Sequence, residues 1–274
     1  MSGQRVKLAG CLLGVLLMSF QAASAAFMLV DNASSVQIDP ASQAGIYQWN
    51  VSGVNQLAQQ WFWYRMGNAG PESSIDTMAA PFVGISDTNF NGQPDTLYAK
   101  YVGNQLQAEL TFTLTGDNPG VARSDIAETI KLKNRTGAPL DLHFFQYCNL
   151  DLGATPLDQS VAIVGGNTVQ QSDMGYFASE TVETPMALQR QVDFVPAILT
   201  MLNDGLPSTL NGNIGPMGPG DLCWAFQWDA TLGPAGSGTD VLIISKDIQI
   251  VPEPATLSLL ALGGLALIRR RRAA

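Results

Sequence analysis

Between Phe27 and Ile250 apolar and polar residues alternate in short runs broken by turn-forming residues, a period of two that predicts strands. Ile46-Tyr47-Gln48-Trp49-Asn50-Val51 alternates. So does Trp61 to Met66, where Trp61, Trp63 and Arg65 face one way and Phe62, Tyr64 and Met66 the other. Pro81 to Ser86, Thr96 to Val102 and Leu106 to Thr115 predict a meander with loops at Asn91-Gly92 and Gly103-Asn104. Ile126 to Lys133 and Pro139 to Leu152 are expected to join across the turn Asn134-Arg135-Thr136-Gly137. On the second of these, Leu140, Leu142, Phe144, Cys148, Leu150 and Leu152 share one face, and Asp141, His143, Asn149 and Asp151 the other. Further strands are expected at 160–171, 174–182, 186–194, 222–232 and 240–250. One helix is predicted, opened by Pro196, striped by Ile198, Leu199 and Leu202, and stopped by Gly205. The Gly- and Pro-rich stretch 205–220 reads as a loop. About a dozen closely spaced strands without alternating helices predict a mainly β fold, an antiparallel β-sandwich. No fixed repeat suggests a propeller or solenoid.

Both ends depart from this pattern. Arg5 and Lys7 precede an apolar run from Leu8 to Phe20, and Ala23-Ser24-Ala25 supplies small residues at the cleavage positions Ala23 and Ala25. Residues 1–25 therefore read as a signal peptide, handled by the Sec translocon and signal peptidase. The run is too short to cross about 30 Å of hydrocarbon as an anchor. Leu8-Ala9-Gly10-Cys11 has the look of a lipoprotein box, but it precedes the apolar run where such a box would follow it. At the other end Val251-Pro252-Glu253-Pro254 leads into an uncharged stretch, Ala255 to Ile268, closed by Arg269, Arg270, Arg271 and Arg272. As a helix, 255–268 would span about 21 Å, and snorkelling arginines would help it cross the inner membrane with the acidic domain outside. An ordinary single-span anchor is the alternative reading. The chain thus divides into 1–25, a domain at 26–250, and a tail at 251–274.

This three-part tail resembles the PEP-CTERM sorting signal of Gram-negative bacteria. The resemblance covers 251–274, under a tenth of the chain. It implies that Pro252, Glu253 and Pro254 are recognised by exosortase, an integral-membrane transpeptidase-like enzyme, with Arg269 to Arg272 as the stop-transfer cluster. It further implies a transient stay in the inner membrane, removal of the tail, and transfer to the cell surface or exopolysaccharide matrix.

Composition narrows the function of the middle domain. The chain is 46% apolar and 14% charged with a net charge of −9, a globular composition. Setting aside Arg5, Lys7 and Arg269 to Arg272 leaves 8 of 14 bases, and setting aside Glu253 leaves 22 of 23 acids, so residues 26–250 carry −14. A domain without a basic face is not a nucleic-acid binder. With His143 the only histidine, His-rich zinc sites and Ser-His-Asp chemistry are disfavoured. No P-loop, dinucleotide fingerprint or nucleophile elbow is present.

Five features remain as candidate chemistry. Asp87-Thr88-Asn89-Phe90-Asn91-Gly92-Gln93-Pro94-Asp95 places oxygen side chains at positions 1, 3, 5 and 9 around a glycine, the first part of a calcium loop. Its candidate ligands for Ca2+ are Asp87, Asn89, Asn91 and Asp95; position 12 is Tyr98 instead of an acid, and a polar hairpin loop has the same composition. Trp61 and Trp63 are candidates for stacking on sugar rings, with Trp224 and Trp228 as helpers, although such a run also suits a core strand. Cys148 and Cys223, the two cysteines left after signal removal, allow one disulfide, but they are expected on opposite faces, which leaves two separate thiols open. His143 beside Asp141 and Asp151 would make an acid–base group or a solvated patch. Paired carboxylates for glycoside hydrolysis would draw on Glu72, Glu109, Glu128, Glu180 or Glu183. The leading expectation is a non-enzymatic exported protein of the surface or biofilm matrix, in contact with extracellular polysaccharide. A carbohydrate-binding or carbohydrate-active sandwich, lyase or hydrolase, is the alternative.

Overall fold

The computed structural model describes residues 26–173 and 175–252. The segment 1–25 expected to be a signal peptide, with Ala23 and Ala25, and Glu253, Pro254, the apolar stretch 255–268 and Arg269 to Arg272 lie outside the described residues. The expected antiparallel sandwich is present as two nine-stranded sheets.

In chain order the strands are β1 (Phe27–Asp31), β2 (Ser34–Asp39), β3 (Gly45–Val51), β4 (Val54–Asn55), β5 (Leu57–Met66), β6 (Ser73–Ser74), β7 (Phe82–Ser86), β8 (Thr96–Val102) and β9 (Leu106–Gly116). The second half holds β10 (Ser124–Asn134), β11 (Leu140–Leu150), β12 (Gln159–Val164), β13 (Thr168–Asp173), β14 (Tyr176–Thr184), β15 (Gln189–Phe194), β16 (Met217–Gly220), β17 (Leu222–Leu232) and β18 (Val241–Pro252). The helix α1 (Ala197–Leu202) begins beside Pro196, as the sequence suggests. The first sheet runs β1-β2-β3-β5-β11-β17-β15, with β4 beside β3 and β6 beside β5. The second runs β16-β12-β13-β14-β18-β10-β9-β8-β7. All pairings are antiparallel except the short one between β3 and β5.

Four expectations change. The stretch 205–220 is loop only as far as 216, because Met217–Gly220 forms β16 beside β12. The stretch 160–171 is a hairpin, β12 and β13, because Gly165 and Gly166 take positive φ at the turn (60° and 81°). The β1–β2 hairpin, turning at Asn32 (φ 50°), precedes the first predicted strand. The last strand passes the expected boundary at 250 and reaches Pro252. Among the described residues no helix is long and apolar enough to cross a membrane.

Facing rows of side chains form the core between the sheets. Phe62, Phe144 and Phe226 from the first sheet meet Leu110, Phe112, Ile130, Ile244 and Ile248 from the second. Phe62 stacks on Phe144 and, across the interface, on Phe112, with centroids 5.6 and 6.2 Å apart. The outer face of the first sheet is covered as well. Ile75, Ile198, Leu202 and Leu210, from α1 and the loops, are buried against it. Trp61 lies so close over Gly45, which has φ +56°, that a Cβ there would strike the indole ring.

Candidate functional site

The loop 87–95 is organised by its own oxygens. Asp87 accepts the backbone N–H of Asn91 at 3.2 Å and of Gly92 at 2.8 Å; Asn89 Oδ1 accepts that of Asn91, and Asn91 Oδ1 that of Gln93. Asp95 turns aside, taking the N–H and hydroxyl of Thr88, the N–H of Asn89 and the Thr96 hydroxyl. Burial raises its carboxyl, and these hydrogen bonds outweigh that and hold it below the ordinary range. The residue that sequence reasoning missed is Asp31, at the end of β1. Its buried carboxylate accepts the amides of Asn89 at 3.0 Å and Asn91 at 2.8 Å, and the Gly116 N–H at 2.8 Å. A carboxylate from a distant strand thus stands against the loop whose own twelfth position is Tyr98. Among the described residues no three His, Cys, Asp or Glu side chains gather as a metal site.

The stacking role expected of Trp61 and Trp63 is corrected by burial, for both are 0% exposed. Their indole N–H groups donate to Asp76 at 3.1 Å and Asn203 at 3.3 Å, which lie in the covering segments. Trp224 and Trp228 are buried too, so neither can help a sugar stack. The row that might have lined a glycan groove instead binds the chain itself. The stretch 205–216 is a strap: Glu72 accepts Ser208 N–H, Arg65 donates to Ser208 O, Gln227 accepts Leu210 N–H and Gln191 accepts Asn211 N–H. Arg65 and Glu72 form a buried ion pair beneath it.

Cys148 and Cys223 are free and buried, which corrects the disulfide reading. Cys148 pairs in register with Trp224 on the face toward the second sheet, so the neighbouring Cys223 points the other way, toward Tyr147 and α1. Burial pushes the Cys223 thiol up to about 12 and that of Cys148 well above its ordinary value. His143 meets neither of its expected acids. Its Nδ1 lies 2.6 Å from Asp229 and its Nε2 3.1 Å from Asn68. Asp141 accepts the Thr231 hydroxyl, and Asp151 lies beyond the other end of β11.

Three of the candidate glycosidase carboxylates are dispersed, and two meet in the core. Glu72 belongs to the strap, Glu109 accepts from Gln107, and Glu183 accepts from Ser245 on the opposite outer face. Glu128 and Glu180 lie in the inter-sheet core on either side of Lys246, all three side chains without exposed area. The sequence holds a signal for this group. Lys246 alternates with Ile244 and Ile248, and Glu128 with Ile126 and Ile130, charges in the register of a buried face.

Val251 pairs in register with Phe177 and Pro252 with Tyr176, so the start of the motif region lies on β18 beside β14, near the middle of the second sheet. The model for the PEP-CTERM protein-sorting motif matches residues 251–272. The chain thus carries a PEP-CTERM protein-sorting motif. The motif implies export, sorting toward the cell surface and exosortase as the processing partner. The motif starts inside the folded domain, with Glu253 and Pro254 alone between the last paired residue and the apolar stretch at Ala255.

No curated protein matches the chain. Among solved structures the domain is similar to a bacterial glucoamylase complexed with acarbose (TM-score 0.57, 8% identity, 86% of this chain and 32% of that one). A candidate aldose 1-epimerase from Escherichia coli K12 (TM-score 0.48, 11% identity, 84% and 99%) and a copper-containing benzylamine oxidase from Hansenula polymorpha (0.48, 7%, 90% and 63%) are more distant. This chain spans about a third of the glucoamylase chain, and the likeness is one of fold.

Proposed function

We propose that this protein is a non-enzymatic component of the cell surface or exopolysaccharide matrix. The Sec translocon and signal peptidase deliver it, its tail holds it briefly in the inner membrane, and exosortase then releases it. The observation that carries this reading is the motif at 251–272, joined without a linker to a domain whose best candidate ligand face is filled by its own strap. The net charge of −14 on residues 26–250 keeps such a domain soluble and disfavours direct contact with acidic polymers. The deciding measurement is the intact mass of the protein recovered from the surface or matrix fraction of its host. A mass for residues 26 to about 252 is expected. Recovery from the inner membrane with 255–274 still attached would sink the matrix role.

Calcium is a second reading, favoured by the approach of Asp31 to Asn89 and Asn91. To hold an ion, the Asn89 and Asn91 oxygens would have to exchange the Asn91 and Gln93 N–H groups that they now accept for a cation shared with Asp31 and Asp87, a hard-oxygen set suited to Ca2+. Millimolar calcium is then expected to raise the melting temperature, and Asp31→Asn to abolish the rise. An unchanged melting temperature in the unsubstituted protein removes calcium from the account.

A further inference from the structure

The core contains a reactive arrangement that neither sorting nor calcium uses. Glu128 on β10 and Lys246 on β18 are directly opposed in register. Lys246 Nζ lies 2.8 Å from Glu128 Oε2 and 3.1 Å from Glu180 Oε1. The ammonium also stands over the Phe62 ring, 5.8 Å from its centroid. Glu128 Oε1 accepts the amide of Gln60, while Glu180 Oε2 accepts the Trp224 indole at 2.5 Å and the Gln146 amide at 3.3 Å. We propose that Lys246 and Glu128 condense to an intramolecular amide, with Glu180 as the proton-transfer group.

Each participant has a separate task. Lys246 passes one proton to the Glu180 carboxylate and becomes a neutral amine. The amine attacks Cδ of the Glu128 carboxylic acid, where the Gln60 amide donates to the carbonyl oxygen that gathers negative charge. A second proton moves from nitrogen, relayed by Glu180, to the departing hydroxyl. The Nζ–Cδ bond forms, the Cδ–OH bond breaks, one water leaves, and Glu180 ends protonated. No oxidant, metal or further reactant is required. Burial pushes the Glu128 carboxyl up against the pull of the Lys246 charge, which favours the neutral acid as electrophile. Trp224 and Gln146 hold the other Glu180 oxygen, Oε2, and leave Oε1 3.1 Å from Nζ.

Two effects drive the condensation. Ionised groups in a dry core carry a large desolvation cost, and the neutral product removes the Lys246 and Glu180 charges together. Nucleophile and acid are also held together within the fold, where effective molarities reach about 10⁵ M or more. Both cysteines in this exported domain are free, so the amide would be its covalent cross-link among the described residues. It would join the strand that bears the sorting motif to its neighbour.

The test is the mass of the purified full chain, denatured before measurement. The expected value is lighter by one water. Trypsin should then fail to cut after Lys246 and should yield a branched peptide joining residues 124–131 to the segment bearing Lys246. Glu180→Gln and Lys246→Met should both restore the full mass. An unsubstituted chain at full mass, cut normally at Lys246, overturns the proposal whether or not the variants fold. A water loss that persists in Lys246→Met overturns it equally, since the loss then arises elsewhere.

Discussion

The outer faces of the two sheets are opposites. On the second sheet β10 alternates cleanly, with Ile126, Ile130 and Leu132 inward and Ala127, Thr129 and Lys131 toward solvent. On the first sheet β11 is buried on both faces from Phe144 to Leu150, and β17 from Leu222 to Trp228. The difference is made by α1 and the strap 205–216, which lie over the first sheet and leave the second bare. A sheet with one wet face needs only an alternating sequence. A sheet covered on both sides needs apolar residues on each face, and every polar group it retains must find a partner. Arg65, Glu72, Gln191 and Gln227 meet that demand by holding the strap's backbone.

The comparison breaks most readily at the aromatics. Trp61→Ala should cost about 3–5 kcal/mol, while Ile243→Ala on the exposed face of β18 should stay within about 0.5 kcal/mol. Urea denaturation of both variants decides the point, and similar losses would mean that the cover contributes little. Next in size is Glu72→Ala, which leaves Arg65 charged and buried beneath the strap. About 3 kcal/mol should be lost, with new proteolytic cuts inside 205–216; an unchanged digestion pattern would show that the strap is held by other contacts. Gln227→Ala removes the acceptor for the Leu210 N–H and should cost about 1–2 kcal/mol, read from the same denaturation midpoints.

The smallest expected effect sharpens the other side of the comparison. On the outer face of the second sheet, burial, a hydrogen bond with Asp247 and the nearby Glu183 push the Asp125 carboxyl up to about 8. The folded state therefore keeps a proton that the unfolded chain releases above about pH 4. Stability should fall as pH rises from about 4 to about 8, and the slope should flatten in Asp125→Asn. Solvent screening limits the size to about 1 kcal/mol or less. A pH–stability curve identical in the two proteins would remove this pair from the balance.

Legibility in the sequence follows the same division. Strands β8, β9 and β10 could be placed within a residue or two, because one wet face imposes alternation. The helix at 197–202 was signalled by Pro196 and its apolar stripe. The burial of Trp61 and Trp63 could not be settled, because their covering partners Asp76 and Asn203 come from separate loops, Asn203 140 residues from Trp63. Asp31 at the 87–95 loop and Asp229 at His143 are likewise long-range pairings that no local spacing encodes. Lys246 and Glu128 differ: their place in an apolar register was visible, but their meeting depends on which strands become neighbours. The sorting motif was legible throughout because its signal is contiguous.

The attachment of that motif to β18 also has a mechanical side. β18 is bonded to β10 along Val241–Ile250 and to β14 along Ser245–Pro252. A load entering through Pro252 therefore runs along the axis of an interior strand. Its rungs are sheared together, whereas a pull across an edge strand such as β7 would open them singly, like a zipper. Stretching single molecules from the C-terminus should accordingly meet higher rupture forces than stretching from a handle in the 87–95 loop beside β7. Equal forces would mean that the tail's position in the sheet gives no such resistance, and a cell holding this domain by its tail would be gripping it at no stronger a point than any other.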